Sequence, residues 1–512
     1  MELHSETLII LDFGSQYTQL IARRARELGV FSLILPSTTP AHVLKKYKPK
    51  GIVLSGGPGS VYARTALNCD EAVFQLGLPV LGVCYGFQLM AKLLGGQVAE
   101  APKREYGITT ILRIEDSLLL NKLPAKSVVW MSHGDHITHL PKGFVITAKS
   151  GNSICAIEDA KRNYFGLQFH PEVSHTKCGS EIIRSFLIDI CHFKADWSSR
   201  SFIENEVEKV KRKVGSRRVI CALSGGVDSS VAATLVDRAI GKQQICIFID
   251  TGLLRKNEYS QVLAMYRRIG LNVKPIRAVR RFLSRLKGVV DPEQKRRLIG
   301  QEFITIFEEE ALKLDNVEYL VQGTLYPDVI ESIPVHGSSA TIKSHHNVGG
   351  LPDKMKLKLI EPLRELFKDE VRKVGGELGL PDECTCRQPF PGPGLAIRIV
   401  GEVDSFGIKI LQEADSVITS EIEKAGLEKE LWQYFAVLLP INSVGVMGDN
   451  RTYEQVVAIR VVDSVDGMTA NWSKLSHGVL EKIASRVISE VRGVNRVVYD
   501  ITSKPPGTIE WE

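Results

Sequence analysis

Three stretches carry residue types suited to acyl transfer. In Gly82-Val83-Cys84-Tyr85-Gly86-Phe87-Gln88 an apolar run meets a cysteine, then a glycine, then a helix-forming segment. Such a turn exposes a thiol at the carboxyl edge of a sheet, and the helix N-terminus behind it favours the thiolate. Free cysteine is also among the most buried residue types, so this stretch alone leaves nucleophile and structural thiol evenly matched. Gly166-Leu167-Gln168-Phe169-His170-Pro171-Glu172 shifts the balance. His170 and Glu172 are two apart on an extended segment, so both side chains face one way. A general base needs a carboxylate that fixes its tautomer, and the spacing predicts a Cys84–His170–Glu172 triad. Ser55-Gly56-Gly57-Pro58-Gly59 follows another apolar run. Its glycines let backbone N–H groups approach an anion, and the N–H groups of Gly57 and Tyr85 are the expected oxyanion hole.

A fourth stretch, Leu223-Ser224-Gly225-Gly226-Val227-Asp228-Ser229-Ser230, leads from a strand into a helix, as a phosphate cradle does. It lacks the Gly-Lys-Ser/Thr of a Walker A loop.

Alternating elements must position these stretches. Apolar runs at 8–12, 51–54 and 80–83 read as buried strands, each followed by a turn. A helix over 181–193 closes this first block. Residues 194–217 read as a polar linker helix. A second block has strands at Arg218–Leu223, Gln244–Asp250 and Val317–Gln322. Strands alternating with helices imply parallel sheets covered on both faces. Beyond about Arg387 the texture changes to a proline-rich loop, Gln388 to Leu395. Helices near 404–425 and 476–492 and strands at 456–463 and 494–501 follow it. The expected fold class is therefore α/β. Two doubly wound parallel-sheet domains (7–196 and 197–387) precede a small α+β domain (388–512).

Composition excludes other classes. The 512 residues are 44% apolar and 24% charged, which rules out wholesale disorder and collagen-like or coiled-coil chains. A net charge of +6 over this length is too weak to argue for nucleic acid or a membrane surface as partner. Nine cysteines at scattered spacings argue for reduced thiols, and the expected location is the cytoplasm. The start lacks the basic-then-apolar order of a signal peptide.

The first three stretches, in this order, resemble the class I glutamine amidotransferases over about residues 7–195. The resemblance implies that Cys84 attacks the side-chain amide of glutamine, His170 protonates the leaving ammonia and Glu172 orients His170. Gln88 and Ser132-His133-Gly134-Asp135 would help bind the glutamine. Ser224 to Ser230 resembles the pyrophosphate loop of the N-type ATP pyrophosphatases, so Ser224, Gly225, Gly226, Val227, Asp228, Ser229 and Ser230 are the implied ATP-binding residues. Asp228 is the implied Mg²⁺ ligand. Further segments resemble the family of glutamine-hydrolysing GMP synthetases across nearly the whole chain: Asp250–Arg255, Gln322–Asp328, Lys343–Pro352, Gln388–Leu395 and Lys504–Glu512. That resemblance implies amination of xanthosine 5′-monophosphate (XMP) to GMP through an adenylated intermediate. ATP and glutamine are consumed. AMP, pyrophosphate and glutamate are released. Arg296, Lys504, Ile509 and Glu510 are the implied XMP contacts, Lys343–Pro352 an implied lid, and the last domain an implied homodimer interface. Free ammonia in bulk water is protonated and loses its nucleophilic lone pair, so a sheltered transfer is expected. Cys384 and Cys386 read as structural, because two thiols do not make a zinc site. A tRNA-modifying relative would need a basic extension, and none is visible.

Overall fold

The computed structural model describes residues 6–331, 357–385, 387–447, 450–464, 467 and 469–512. The Lys343–Pro352 segment and Cys386 lie outside the described residues. The chain divides into two compact units, with the boundary in the chain between Ser201 and Phe202.

The first unit is built on a nine-stranded sheet. Its strands run in the order Ser32–Pro36, Thr7–Asp12, Pro49–Leu54, Val80–Val83, Tyr164–Leu167, Ser153–Asp159, Val145–Ser150, Gln97–Arg113 and Lys126–His139. The first five are mutually parallel, as the apolar runs predict. Ile9, Ile10, Leu54 and Val83 are wholly buried because helices cover both faces. The other four strands extend the sheet in antiparallel fashion, which the alternating pattern does not announce. The helix expected over 181–193 is a short α-helix, Gly179–Arg184, that continues as a π-helix, Ser185–Ile190.

The helix Ser199–Val214 starts just before the boundary and lies mostly in the second unit. It is a docked element, not a free linker: Phe202, Ile203, Val207, Val210 and Val214 form a buried stripe at helical spacing. A five-stranded parallel sheet follows, in the order Val273–Arg277, Gln244–Asp250, Arg218–Leu223, Val317–Val321 and Lys358–Ile360. The strand order reverses beside Arg218–Leu223. In open parallel sheets that reversal leaves a crevice at the carboxyl ends, where ligands bind.

The last part is α+β, as expected. The strand Asn450–Asp463 pairs with Gln433–Met447, Asn471–Trp472 and Val494–Tyr499, against the helices Ser405–Lys424 and His477–Glu490. Gln433–Met447 was not expected. Pro440 interrupts it and cannot donate to a ladder, and the register shifts between Leu439 and Asn442 to absorb it. One buried cluster joins Ile220, Ile247 and Phe282 to Leu411, Val457 and Ile483, so a single core underlies both sides of residue 387.

Candidate active sites

Strand register assembles the first site. Leu54 pairs with Gly82, and Val83 with Leu167. The segments that follow these strands therefore leave the sheet side by side, carrying Ser55, Cys84 and Gln168–His170. The Cys84 N–H donates to the Leu167 carbonyl (2.7 Å) and the Gly86 N–H to the Ser55 carbonyl (3.0 Å). Cys84 takes φ 50° and ψ −104° immediately before the helix Tyr85–Leu93. This is the strained elbow expected from its sequence, costing roughly 1–3 kcal/mol. Cys84, however, is buried rather than exposed, because the segments from the neighbouring strands close over it. The elbow needs Gly86: a Cβ there would lie 2.3 Å from the Leu54 carbonyl oxygen.

His170 and Glu172 are buried, with His170 Nδ1 2.7 Å from Glu172 Oε1. The backbone of His170 is fixed by its N–H to the Trp130 carbonyl (3.0 Å) and by the Thr176 hydroxyl, which donates to its carbonyl (2.6 Å). The Tyr17 ring meets the imidazole edge-on at 5.1 Å. Burial alone pulls the imidazole toward neutrality. The Glu172 carboxylate and the hydrogen bonds with Cys84 and Glu172 outweigh it, raising the pKa from 6.5 to about 11. The thiol of Cys84 donates to the Ser132 carbonyl (3.5 Å) and lies 3.9 Å from Gln168 Nε2.

The shift has a consequence for stability. A folded-state pKa above the unfolded value gives a contribution that is complete below about pH 6.5 and is lost as the pH climbs toward 11. The difference in denaturant stability between the wild type and His170→Asn should therefore narrow between pH 6.5 and 10.5. A difference that stays constant or widens contradicts the assignment.

Tyr85 follows the thiol in the chain, and Gly57 packs against the Tyr85 ring, where a Cβ would lie 3.1 Å from Cγ. The Tyr85 N–H opens its helix, so it has no intrahelical partner. A Cβ on Gly57 would stand 2.7 Å from the Phe13 carbonyl oxygen. Three of the expected glutamine-binding residues, Gln88, His133 and Asp135, are joined by hydrogen bonds. Gln88 Nε2 donates to the Asp135 carbonyl (3.0 Å) and to Gln168 Oε1 (3.1 Å). His133 Nδ1 lies 2.9 Å from the same carbonyl, and its Nε2 is 3.5 Å from Glu105. The Gln88 amide nitrogen thus has two protein partners. Gln168 and Glu105 were not singled out from the sequence. Gln168 stands within the His170 stretch, whereas Glu105 depends on strand pairing.

The second site lies at the crevice of the five-stranded sheet. Ser224–Gly226 turn from the strand Arg218–Leu223 into the helix Val227–Ile240, with Gly225 at φ 81°. The Ser229 hydroxyl accepts from the Ser224 N–H (3.2 Å), and the Ser230 hydroxyl donates to the Gly226 carbonyl (2.8 Å). Val227, Asp228 and Ser229 form the first turn, where N–H groups point outward. Gly323 packs on this turn; a Cβ there would lie 3.0 Å from the Asp228 carbonyl carbon. Two residues missed in the sequence join the loop. Lys368 Nζ donates to Asp228 Oδ1 (2.6 Å), and Arg387 donates to the Gly225 carbonyl (2.7 Å) while pairing with Glu258. Lys368 has no motif around it and lies 140 residues from Asp228.

The expected nucleotide contacts gather on the C-terminal segment. Arg296 donates to the Glu512 carbonyl. Ile509 packs against Phe435, Val437 and Ala458. The Glu510 carboxylate is held by Arg398 (3.0 and 2.9 Å) and Gln433 (2.9 Å). Lys504 Nζ donates to the Gly467 carbonyl (2.8 Å).

Known proteins match this arrangement part by part. Residues 9–190 match the class-I glutamine amidotransferase family, 198–296 the NAD synthase family and 420–511 the GMP synthase C-terminal domain. The chain is 55% identical over its full length to the glutamine-hydrolysing GMP synthase of Geobacillus kaustophilus, covering all of that protein. It is 57% identical to the one of Caldanaerobacter subterraneus and 54% to that of Brachyspira hyodysenteriae, again covering 100% of both chains. The chain belongs to the glutamine-hydrolysing GMP synthase family. It is a glutamine-dependent ligase that converts XMP to GMP, using ATP through an adenylated intermediate. The first site lies within the amidotransferase match, and the loop Ser224–Ser230 lies within the NAD synthase match. Among the described residues, no helix is long and apolar enough to cross a membrane.

Proposed function

We propose that the first site performs the glutaminase half-reaction with Cys84 as nucleophile, His170 as general acid and base, and Glu172 as its orienting carboxylate. The carrying observation is the buried 2.7 Å contact between His170 and Glu172 beside the strained Cys84 elbow. The thiolate attacks the glutamine side-chain carbonyl, the N–H groups of Gly57 and Tyr85 hold the oxyanion, and His170 gives its proton to the departing ammonia. Water then frees glutamate from the thioester. Gln88, Ser132, His133 and Asp135 shape the glutamine pocket.

In the second site, Ser224 to Ser230 hold the pyrophosphate portion of ATP through outward N–H groups and hydroxyls. The C2 oxygen of XMP attacks the α-phosphate, pyrophosphate leaves, and ammonia displaces AMP from C2. Arg296, Lys504, Ile509 and Glu510 contact the acceptor. Mg²⁺ suits a site with one carboxylate, because it keeps waters and takes its other ligands from phosphates. Asp228 fits that role, although Lys368 neutralises its carboxylate here. The ion would offset charge on the phosphates. The division at 196/197 and 387/388 is our reading of three functional parts. A homodimer through the last part is supported by exposed apolar residues on its hairpin: Val444 and Val446 share a face, and Tyr453 stands across from Val444. The location is cytoplasmic, in keeping with eight described cysteines that are all free thiols.

Release of AMP and pyrophosphate, measured with a panel of acceptors, tests the reading. XMP should support it with either glutamine or ammonium. Equal release with an acceptor that lacks the C2 oxygen would overturn the acceptor assignment.

A further inference from the structure

Arg398 is wholly buried at the end of the turn Gly394–Arg398. A buried arginine is costly unless its charge is paired and its planar fork is used. Here Nε donates to Glu510 Oε2 (3.0 Å) and Nη2 to Glu510 Oε1 (2.9 Å), a bidentate pair. The guanidinium lies 3.8 Å from the centroid of the Phe435 ring and 5.1 Å from that of Phe390. Gln433 Nε2 completes the cradle by bridging Glu510 Oε1 (2.9 Å) to the Pro389 carbonyl (3.1 Å).

Counting lone pairs shows what this leaves. A carboxylate has about four acceptor positions. Arg398 and Gln433 fill both on Oε1 and one on Oε2. One lone pair on Oε2 remains, on a side chain that keeps 18% of its surface exposed. The carboxylate is thus fixed in plane and open on one side.

We propose that Arg398 is a positioning residue for the acceptor site: its fork, seated on two aromatic rings, sets the Glu510 carboxylate so that its remaining lone pair receives an N–H of the purine edge. This rests on the reading above that Glu510 contacts the acceptor. A preset acceptor costs nothing to orient when the nucleotide arrives, so its effect falls on acceptor affinity. The ATP loop makes none of these contacts, and its affinity should be unaffected.

The test uses the full chain with ammonium as nitrogen source and ATP saturating. Glu510→Gln should raise KM for XMP about tenfold, the size of one charge-assisted hydrogen bond. Arg398→Lys keeps the charge but loses the fork, and should raise KM for XMP by about the same factor. Both should leave KM for ATP within about twofold. The double variant should be no worse than Glu510→Gln alone, because the two residues act as one unit. If Glu510→Gln leaves KM for XMP unchanged, the underlying contact is wrong. If Glu510→Gln raises it but Arg398→Lys does not, or raises every parameter equally, the positioning role is wrong. Should Arg398→Lys fail to fold, Gln433→Leu decides. It removes an uncharged donor from the same carboxylate and should raise KM for XMP about threefold; an unchanged value overturns the proposal.

Discussion

Cys84→Ala is expected to abolish glutamine-dependent GMP formation while ammonium-dependent formation continues. Removing the nucleophile of an acyl-transfer site typically costs about 10⁶-fold in turnover. The alanine Cβ fits where the cysteine Cβ stood, and the elbow is held by backbone bonds, Cys84 N–H to Leu167 and Gly86 N–H to Ser55. The fold of the first unit therefore survives the change. The second site draws every residue from beyond Leu223, so its chemistry does not use the thiol. Ammonium-supported turnover should stay within about twofold of the wild type, since no group of that site is altered. GMP formation measured with each nitrogen donor reads both arms. Persistent use of glutamine by the variant would remove Cys84 from the mechanism.

The second large effect is on stability. Lys295 is wholly buried on the helix Pro292–Leu312. Its ammonium donates to the carbonyls of Ala396 (3.2 Å) and Ile399 (2.8 Å) and to the Glu512 carboxylate. The other Glu512 oxygen accepts from the Gly401 N–H (2.9 Å). Glu512→Ala leaves the ammonium with two carbonyls and without its hydrogen-bonded carboxylate; only the weaker field of Asp291 remains. Breaking a buried pair on one side costs about 3–5 kcal/mol. Replacing both partners with apolar residues removes the uncompensated charge, so Lys295→Met with Glu512→Leu should recover most of that loss. Denaturant unfolding of the three variants measures it. A cost for Glu512→Ala below about 1 kcal/mol would class the pair with exposed ion pairs instead.

Much of each site was legible because its parts are local. Gly-x-Cys-x-Gly encodes a turn that only small residues permit, and the 2.3 Å approach at Gly86 is the steric reason. The pair His170–Glu172 follows from the two-residue period of extended chain. The Ser224–Ser230 loop follows from glycines that precede a helix start. Illegible were the partners that arrive from afar. Lys368 reaches Asp228 across 140 residues and Arg398 reaches Glu510 across 112. The strand Gln433–Met447 was hidden by Pro440, which a register shift accommodates.

The sequence by itself thus determined the chemistry available, the alternation that makes two parallel sheets, and the family. Tertiary structure decided which of those groups meet. It set Cys84 beside His170 through the pairing of Val83 with Leu167. It extended the first sheet with antiparallel strands that carry Ser132 to Asp135. It paired Asp228 with Lys368 and clamped the Glu510 carboxylate with Arg398. The physical reason is one of range. Backbone conformation and periodicity are set by neighbours in the chain. Ion pairs and hydrogen bonds between distant segments depend on strand register and on the burial that makes an unpaired charge costly.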